Sequence, residues 1–150
     1  LETIRELASW VADYRVPHGR VVFEITEREA LPHLKELRQL QERAQQQGIA
    51  FALDDFGSGF SSFLYLKYLK VDYVKIEGSF VRHIAKDKGD RIMVSHINSM
   101  AHAFGIKTVA EYVEDHETHA LLRELGVDLG QGYYYGHARA LSGAGALKSD

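Results

Sequence analysis

The chain has 150 residues, a formal net charge of −3 and no cysteine. This length suits one domain with a substantial core, and the small charge gives no sign of a general affinity for DNA or RNA. The lack of cysteine excludes disulfides, iron–sulfur clusters and thiolate zinc sites, and no apolar run approaches the roughly 20 residues of a membrane span. We therefore expect a cytoplasmic domain, or the cytoplasmic domain of a larger protein.

Helical and extended patterns alternate along the chain. We predict helices at 2–14, 29–47, 60–68, 90–104 and 115–125, and strands at 20–25, 49–54, 72–76, 106–111 and 127–131. Glycines at 48, 105 and 126 follow three of these helices, as helix-ending residues commonly do. Because the first helical pattern is already under way at Leu1, we expect the chain to be cut from a longer protein.

The alternation predicts an α/β fold in which parallel strands are joined by right-handed crossovers. One strand-plus-helix unit takes roughly 27 residues, so eight units would need roughly 220, near the size of a (β/α)8 barrel. We predict one domain over 1–150 that forms an incomplete TIM-like (β/α)8 barrel of about five βα units. Its motifs fall within 20–137, and we expect a loosely ordered tail over 138–150. The alternative is an open doubly wound sheet, although the chain has no GxGxxG and no Walker A loop.

Polar or charged side chains stand near the C-terminal ends of the predicted strands, where parallel α/β folds assemble active sites. They are Glu24, Asp54, Asp55, Lys75, Glu111 and Gln131. The four carboxylates are hard oxygen ligands of the kind that Mg²⁺ and Mn²⁺ prefer. Two adjacent aspartates can hold one ion each or bridge a pair of ions. The alternative is that each acid caps a helix or pairs with a lysine.

Lys75 and the glycine-rich turn at 57–59 flank these acids. A lysine inside an apolar strand is rare without a partner, so we expect Lys75 to face the carboxylates and to orient a water or neutralise charge. A simple salt bridge to Glu111 or Asp54 is the alternative. The turn Gly57-Ser58-Gly59 is either a phosphate cradle or a turn whose following serines cap a helix.

The histidines and the tyrosine run carry weaker signals. His116 and His119 fall at the start of a surface helix, where we expect solvated or capping roles rather than a metal site. The run 133–135 contains three tyrosines, which either stack on a base or pack at the mouth of the barrel.

Five motifs, in this order, resemble those of the EAL-domain family of cyclic-di-GMP phosphodiesterases. They are Phe23–Glu27, Asp54–Gly59, Asp72–Glu77, Ala110–Glu114 and Gln131–Tyr133. The resemblance implies a modified TIM barrel that hydrolyses cyclic di-GMP to linear pGpG with two Mg²⁺ or Mn²⁺ ions, in bacterial second-messenger signalling. We further expect a homodimer, no DNA or RNA partner, and flanking sensory or GGDEF-type domains in the parent protein.

The same resemblance implies a role for each matching residue. Glu24, Asp54, Asp55 and Glu111 correspond to metal ligands, and Lys75 to the lysine that binds or activates the attacking water. Glu27 corresponds to the anchor of the loop that contains Gly57, Ser58 and Gly59. Glu114 and Gln131 correspond to residues that position water or support the ligands.

The chain also departs from the family pattern. The metal-ligating Glu-Ala-Leu motif that names the family, an asparagine ligand and a phosphate-binding arginine all belong to the family's first strands and are absent; the tripeptide Glu29-Ala30-Leu31 follows the later Phe23–Glu27 motif and is not that motif. Glu77 replaces the usual aspartate, Tyr112 a usual glycine, and His137-Ala138 a residue followed by proline. The alternatives are therefore a degenerate receptor that binds cyclic di-GMP without hydrolysis, or a half-barrel that pairs with a second copy to cover its sheet edges. Retention of the four acids and Lys75 favours the enzyme.

Overall fold

The computed structural model describes residues 2–14, 16–17, 19–30, 34–57 and 66–139. Within these ranges the helices are α1 (Glu2–Asp13), α2 (Glu27–Ala30), α3 (Leu34–Gln46), α4 (Gly78–His83), α5 (Lys88–Ala103) and α6 (His116–Glu124). Residues 66–68 are also helical, as predicted for the end of the helix at 60–68. The strands are β1 (Val22–Thr26), β2 (Ala50–Phe56), β3 (Tyr73–Ile76), β4 (Lys107–Ala110) and β5 (Leu129–Gly130). None of the described helices is both long enough and apolar enough to cross a bilayer.

The five strands form one parallel sheet in the order β1-β2-β3-β4-β5. Because each crossover moves the chain one strand further in the same direction, crossovers of one hand leave the helices on a single face of the sheet. A doubly wound sheet would reverse its strand order partway and carry helices on both faces. The sequential order therefore confirms the incomplete TIM-like barrel, and the doubly wound alternative is wrong.

The hydrophobic core lies between the sheet and its helices. Phe51 and Leu53 of β2 and Val74 and Ile76 of β3 are completely buried in it or nearly so. Burial of each such side chain contributes about 1.5–3 kcal/mol relative to exposure. Since successive strand residues point to opposite faces, Lys75 lies on the face away from the helices, which is the interior of the barrel.

Most of the predicted elements are present, with two corrections. The single helix predicted at 29–47 is wrong, because α2 ends at Ala30 and α3 begins at Leu34. The sequence has Pro32 between them, and proline disrupts a helix interior. The helix α4 was not predicted; Glu77 caps it by accepting from the Ser79 N–H. The predicted range 60–65 and the tail beyond 139 lie outside the described residues.

The ends of three helices are confirmed by backbone geometry. Gly48, Gly105 and Gly126 have φ angles of 82°, 73° and 77°, the left-handed conformation that commonly ends a helix.

Asp128 links the strand β4 to the helix α5. Its Oδ2 accepts from the Thr108 N–H at 2.8 Å and lies 2.8 Å from Nε2 of His102. Burial acts to raise the pKa of Asp128, but the hydrogen bonds from Thr108 and His102 outweigh burial and hold that pKa below its ordinary value. The carboxylate therefore stabilises the fold in its ionised form.

We expect Asp128→Asn to lower the free energy of unfolding by about 1–2 kcal/mol at neutral pH, because charge-assisted hydrogen bonds are lost. The folded-state pKa is lowered, so this stabilisation is fully present above the unfolded-state value near ~3.9 and is lost as the pH falls through the folded-state value. Urea unfolding at neutral pH and at about pH 3 tests this. A difference between wild type and variant that did not shrink in acid would contradict the assignment; Asp13→Asn, exposed on α1, is the control.

Candidate metal centre

The predicted site residues converge at the C-terminal edge of the sheet. Glu24 lies in β1, Asp54 and Asp55 lie near the end of β2, Lys75 lies in β3, and Glu111 directly follows β4. Parallel pairing in sequential order brings these strand ends to one edge, so residues far apart in the chain become neighbours.

Lys75 is surrounded by three carboxylates. Only 5% of the surface of this lysine is exposed to solvent. Its Nζ lies 2.8 Å from Oε2 of Glu24, 3.1 Å from Oδ1 of Asp54 and 2.8 Å from Oε1 of Glu111. Lys75 therefore forms the ion pairs with Glu111 and Asp54 that the alternative expected, and in addition a third ion pair with Glu24.

The pKa values in this cluster show which charges are compensated. Burial alone would lower the pKa of Lys75, but hydrogen bonds with Glu111, Glu24 and Asp54 outweigh it and raise that pKa well above its ordinary value. Burial and the nearby negative charges of Asp54 and Asp55 raise the pKa of Glu111, against the opposing effect of Lys75. The carboxylates thus stabilise the charged form of the Lys75 ammonium. Glu111 nevertheless has more negative than positive charge around it.

A local irregularity in β2 turns its two adjacent aspartates to the same side. Neighbouring residues of a regular strand point to opposite faces. Here the pairing of β2 with β3 shifts between Leu53 and Phe56, which inserts one extra residue, and Asp55 takes a φ of 55°. Aspartate is one of the few residues that tolerate this left-handed conformation. A bulge of this kind commonly re-aims a side chain beside an active site.

These residues fit a divalent cation. Carboxylate oxygens of Asp54, Asp55 and Glu111 all lie within 4.8 Å of one another. Oxygen ligands that each lie about 2.0–2.6 Å from one Mg²⁺ or Ca²⁺ ion are separated from one another by distances of this order. Glu24 is not a member of this three-acid group. It contacts Lys75, which in turn contacts the group. The excess negative charge and the all-oxygen donor set suit a hard divalent cation.

A cavity of about 330 Å³ adjoins this cluster. Its lining residues are Arg82, Glu111, Tyr112, Glu114, Gln131, Gly132 and Tyr133. Backbone hydrogen bonds align two of its walls: Gln131 donates to the Ala110 carbonyl at 2.8 Å, and Val113 donates to the Gln131 carbonyl at 3.0 Å. A Cβ at Gly132 would overlap backbone atoms of Val113, so only glycine permits this approach. Glu114 and Gln131 are thereby brought beside Glu111.

Arg82 is the cavity residue that the sequence did not indicate. It lies on α4, which the sequence analysis did not predict, and the segment that begins at Gly78 has too few residues to show a clear helical period.

The glycine-rich loop and its expected anchor are described only in part. Gly57 has a φ of 105°, which favours glycine, and a Cβ there would lie 3.0 Å from the Phe80 ring and 3.1 Å from the Ile97 side chain. Ser58 and Gly59 lie outside the described residues, as does the side chain of Glu27, whose backbone begins α2. Their expected roles stay predictions.

The histidines and tyrosines have structural partners. Asp115, and not a histidine, caps α6, because its Oδ1 accepts from the Thr118 N–H at 2.7 Å. His119 stacks on Tyr134 at 4.9 Å between ring centroids, and its Nδ1 lies 2.9 Å from the Tyr135 hydroxyl. Two of the three tyrosines therefore pack against α6, and Tyr133 lines the cavity.

Comparison with known proteins identifies the family. The EAL domain model matches residues 2–138, so the chain belongs to the EAL domain family. The cyclic di-GMP phosphodiesterase PdeB of Shewanella oneidensis is 40% identical over 129 residues, which are 86% of this chain and 15% of PdeB.

Solved structures show the same fold. The EAL domain of Mycobacterium smegmatis DcpA superposes with a TM-score of 0.82 at 32% identity, covering 89% of this chain and 60% of that one. The Pseudomonas aeruginosa MucR phosphodiesterase, in complex with cyclic di-GMP, has a TM-score of 0.80 at 29% identity, covering 89% of this chain and 54% of that one. The chain thus spans a small part of PdeB and somewhat more than half of these EAL structures.

We expect Lys75→Met to lower the melting temperature strongly in EDTA, because three carboxylates lose their shared counter-charge at a cost of about 3–5 kcal/mol. Millimolar Mn²⁺ should recover most of this loss, since a bound cation can neutralise the same acids. Thermal unfolding with EDTA and with Mn²⁺ measures both effects. Lys35→Met, exposed on α3, serves as the control, and an equal loss with and without Mn²⁺ would argue against a cation site.

Proposed function

We propose that this chain carries the catalytic edge of a cyclic-di-GMP phosphodiesterase, which hydrolyses its substrate to linear pGpG with Mg²⁺ or Mn²⁺. The observation that carries the proposal is the burial of Lys75 among Glu24, Asp54 and Glu111, beside Asp55, at the C-terminal ends of parallel strands. The names of PdeB and of the MucR complex support the choice of substrate.

Asp54, Asp55 and Glu111 would hold the first ion, with Glu24 as a further ligand toward a second one. When bound, such ions act as Lewis acids that polarise phosphoryl oxygens and make water a better nucleophile at neutral pH. Water adds across one P–O3′ bond of the cyclic dinucleotide, which leaves a 5′-phosphate and a free 3′-hydroxyl.

Lys75 acts in this proposal as a fixed cation and hydrogen-bond donor. Its ammonium lies 2.8–3.1 Å from oxygens of Glu24, Asp54 and Glu111, so it stands beside the acids that would hold the ions. It would offset negative charge as the phosphorane-like transition state develops. An N–H released by an acid that binds an ion would donate to the attacking oxygen, while contacts with the other acids keep the side chain oriented.

The remaining predicted residues take supporting roles. Glu114 and Gln131 line the cavity next to Glu111, where they would position water or the substrate. Glu27 would anchor the loop that begins at Gly57 and contains Ser58 and Gly59, so that loop position responds to the metals.

Two features of the cellular setting belong to the same proposal. We place the reaction in the cytoplasm, in a homodimer whose polypeptide also carries a sensory or GGDEF-type domain. The support is that MucR, 34% identical over 118 residues, is named a bifunctional diguanylate cyclase and cyclic di-GMP phosphodiesterase.

A receptor that binds cyclic di-GMP without turnover is the second candidate. Tyr112 favours it, because this residue directly follows Glu111 with a strained φ of 54° and narrows the cavity next to that acid. Retention of the acidic cluster favours the enzyme, and a turnover assay separates the two.

We expect Asp54→Asn in the full-length protein to abolish formation of pGpG, because the acidic cluster loses a charge that the metals need. Excess EDTA should do the same to the wild type. Chromatographic separation of cyclic from linear dinucleotide in the presence of Mn²⁺ measures both. Glu124→Gln, exposed at the end of α6, should leave the rate unchanged, and hydrolysis that persists in EDTA would defeat the metal mechanism.

We expect Lys75→Ala to lower kcat by about 10²–10³-fold with a much smaller change in KM, because its donated hydrogen bond and charge act mainly in the transition state. Steady-state kinetics at saturating Mn²⁺ resolves the two constants. A rise in KM that accounts for the whole loss would show that Lys75 serves substrate binding instead.

A further inference from the structure

A cation and an aromatic ring stand together on the cavity beside the candidate metal centre. The Cζ of Arg82 lies 4.0 Å from the centroid of the Tyr112 ring, and both side chains line the cavity that also contains Glu111 and Gln131. In the part of the chain that the structure describes, the guanidinium N–H groups have no hydrogen-bond or ion-pair partner. An arginine whose position is set by stacking, but whose donors are free, is suited to bind a ligand.

The Tyr112 ring is held in place by two features of the backbone. Its φ of 54° lies in the left-handed region, which is unfavourable for a non-glycine residue. The ring packs directly against Gly78, where any side chain would overlap it. Gly78 and Arg82 lie one helical turn apart on α4, so the same helix supports the ring and supplies the cation. Local strain of this kind is commonly found at functional sites.

The cavity is better suited to a base of a cyclic dinucleotide than to its phosphate or to the whole molecule. Its volume of about 330 Å³ is at the small end of ligand pockets, so it suits one base better than the whole molecule. Glu114 on the same cavity repels a phosphate but not a neutral base. A guanidinium can donate two parallel hydrogen bonds to O6 and N7 of guanine, whereas adenine presents an amino donor in place of O6.

We propose that Arg82, positioned by Tyr112, reads the O6/N7 edge of one guanine and makes this site selective for guanine over adenine. The inference rests on the proposed function for the identity of the substrate. It adds a specificity-determining residue and a positioning residue that lie outside the acidic cluster.

Binding by calorimetry tests the inference without turnover. The full-length protein is titrated with cyclic di-GMP and with cyclic di-AMP in Ca²⁺, and the nucleotides are checked to be intact afterwards. Arg82→Ala should weaken cyclic di-GMP binding by about 5–150-fold, the loss of one bidentate base contact, and cyclic di-AMP binding by less than about threefold. Arg82→Lys, which keeps the charge but not the paired donors, should recover only part of the loss.

Two further variants separate recognition from structure. Tyr112→Leu keeps bulk but removes the ring face, and should weaken cyclic di-GMP binding by about threefold, because an exposed cation–aromatic contact stabilises by about 0.5–1 kcal/mol. Arg43→Ala, exposed on α3, should bind both nucleotides as the wild type does. Because Arg82 is exposed, we expect its variants to melt within a few degrees of the wild type.

The outcomes distinguish this inference from the proposed function. Equal weakening of both nucleotides by Arg82→Ala would mean a phosphate contact and would overturn the inference, as would unchanged cyclic di-GMP binding or a wild type that binds neither nucleotide. Guanine-selective binding that depends on Arg82, in a protein that forms no pGpG with Mn²⁺, would support the inference and leave the phosphodiesterase proposal refuted.

Discussion

The contact between the Lys75 ammonium and three carboxylates is the interaction on which the site depends. β3 carries the lysine to the barrel interior, and its Nζ reaches acids from β1, β2 and the end of β4. Without a cation these acids would repel one another in a partly buried setting. Stability and chemistry are therefore coupled, because the acids suited to bind ions are the ones whose mutual repulsion Lys75 offsets.

Irregularities of the backbone determine which side chains meet at this edge of the sheet. A regular strand would separate Asp54 from Asp55 on opposite faces, whereas the shift in pairing and the φ of Asp55 place both near Glu111. Directly after Glu111, Tyr112 adopts a left-handed conformation and joins Arg82 on the adjoining cavity. The parallel sheet thus supplies a common scaffold, and two strained residues decide which side chains reach the site.

The sequence allowed the fold and the acidic cluster to be predicted, because strand periodicity, helix-ending glycines and polar strand ends are all local signals. It did not reveal α4, since a six-residue helix that begins with glycine has no clear period, and Arg82 was missed with it. The break after Ala30 had a signal in Pro32 that the helical pattern around it outweighed. The conformations of Asp55 and Tyr112 depend on packing between strands, which local sequence does not encode.

Diffraction from crystals of the full-length protein grown with Mn²⁺, recorded for anomalous scattering, tests the central claim most directly. The account predicts a strong peak within about 2.6 Å of carboxylate oxygens of Asp54, Asp55 and Glu111, with Lys75 still in contact with the cluster. Occupied Mn²⁺ sites elsewhere, with the Asp54–Asp55–Glu111 group free of anomalous density, would contradict it.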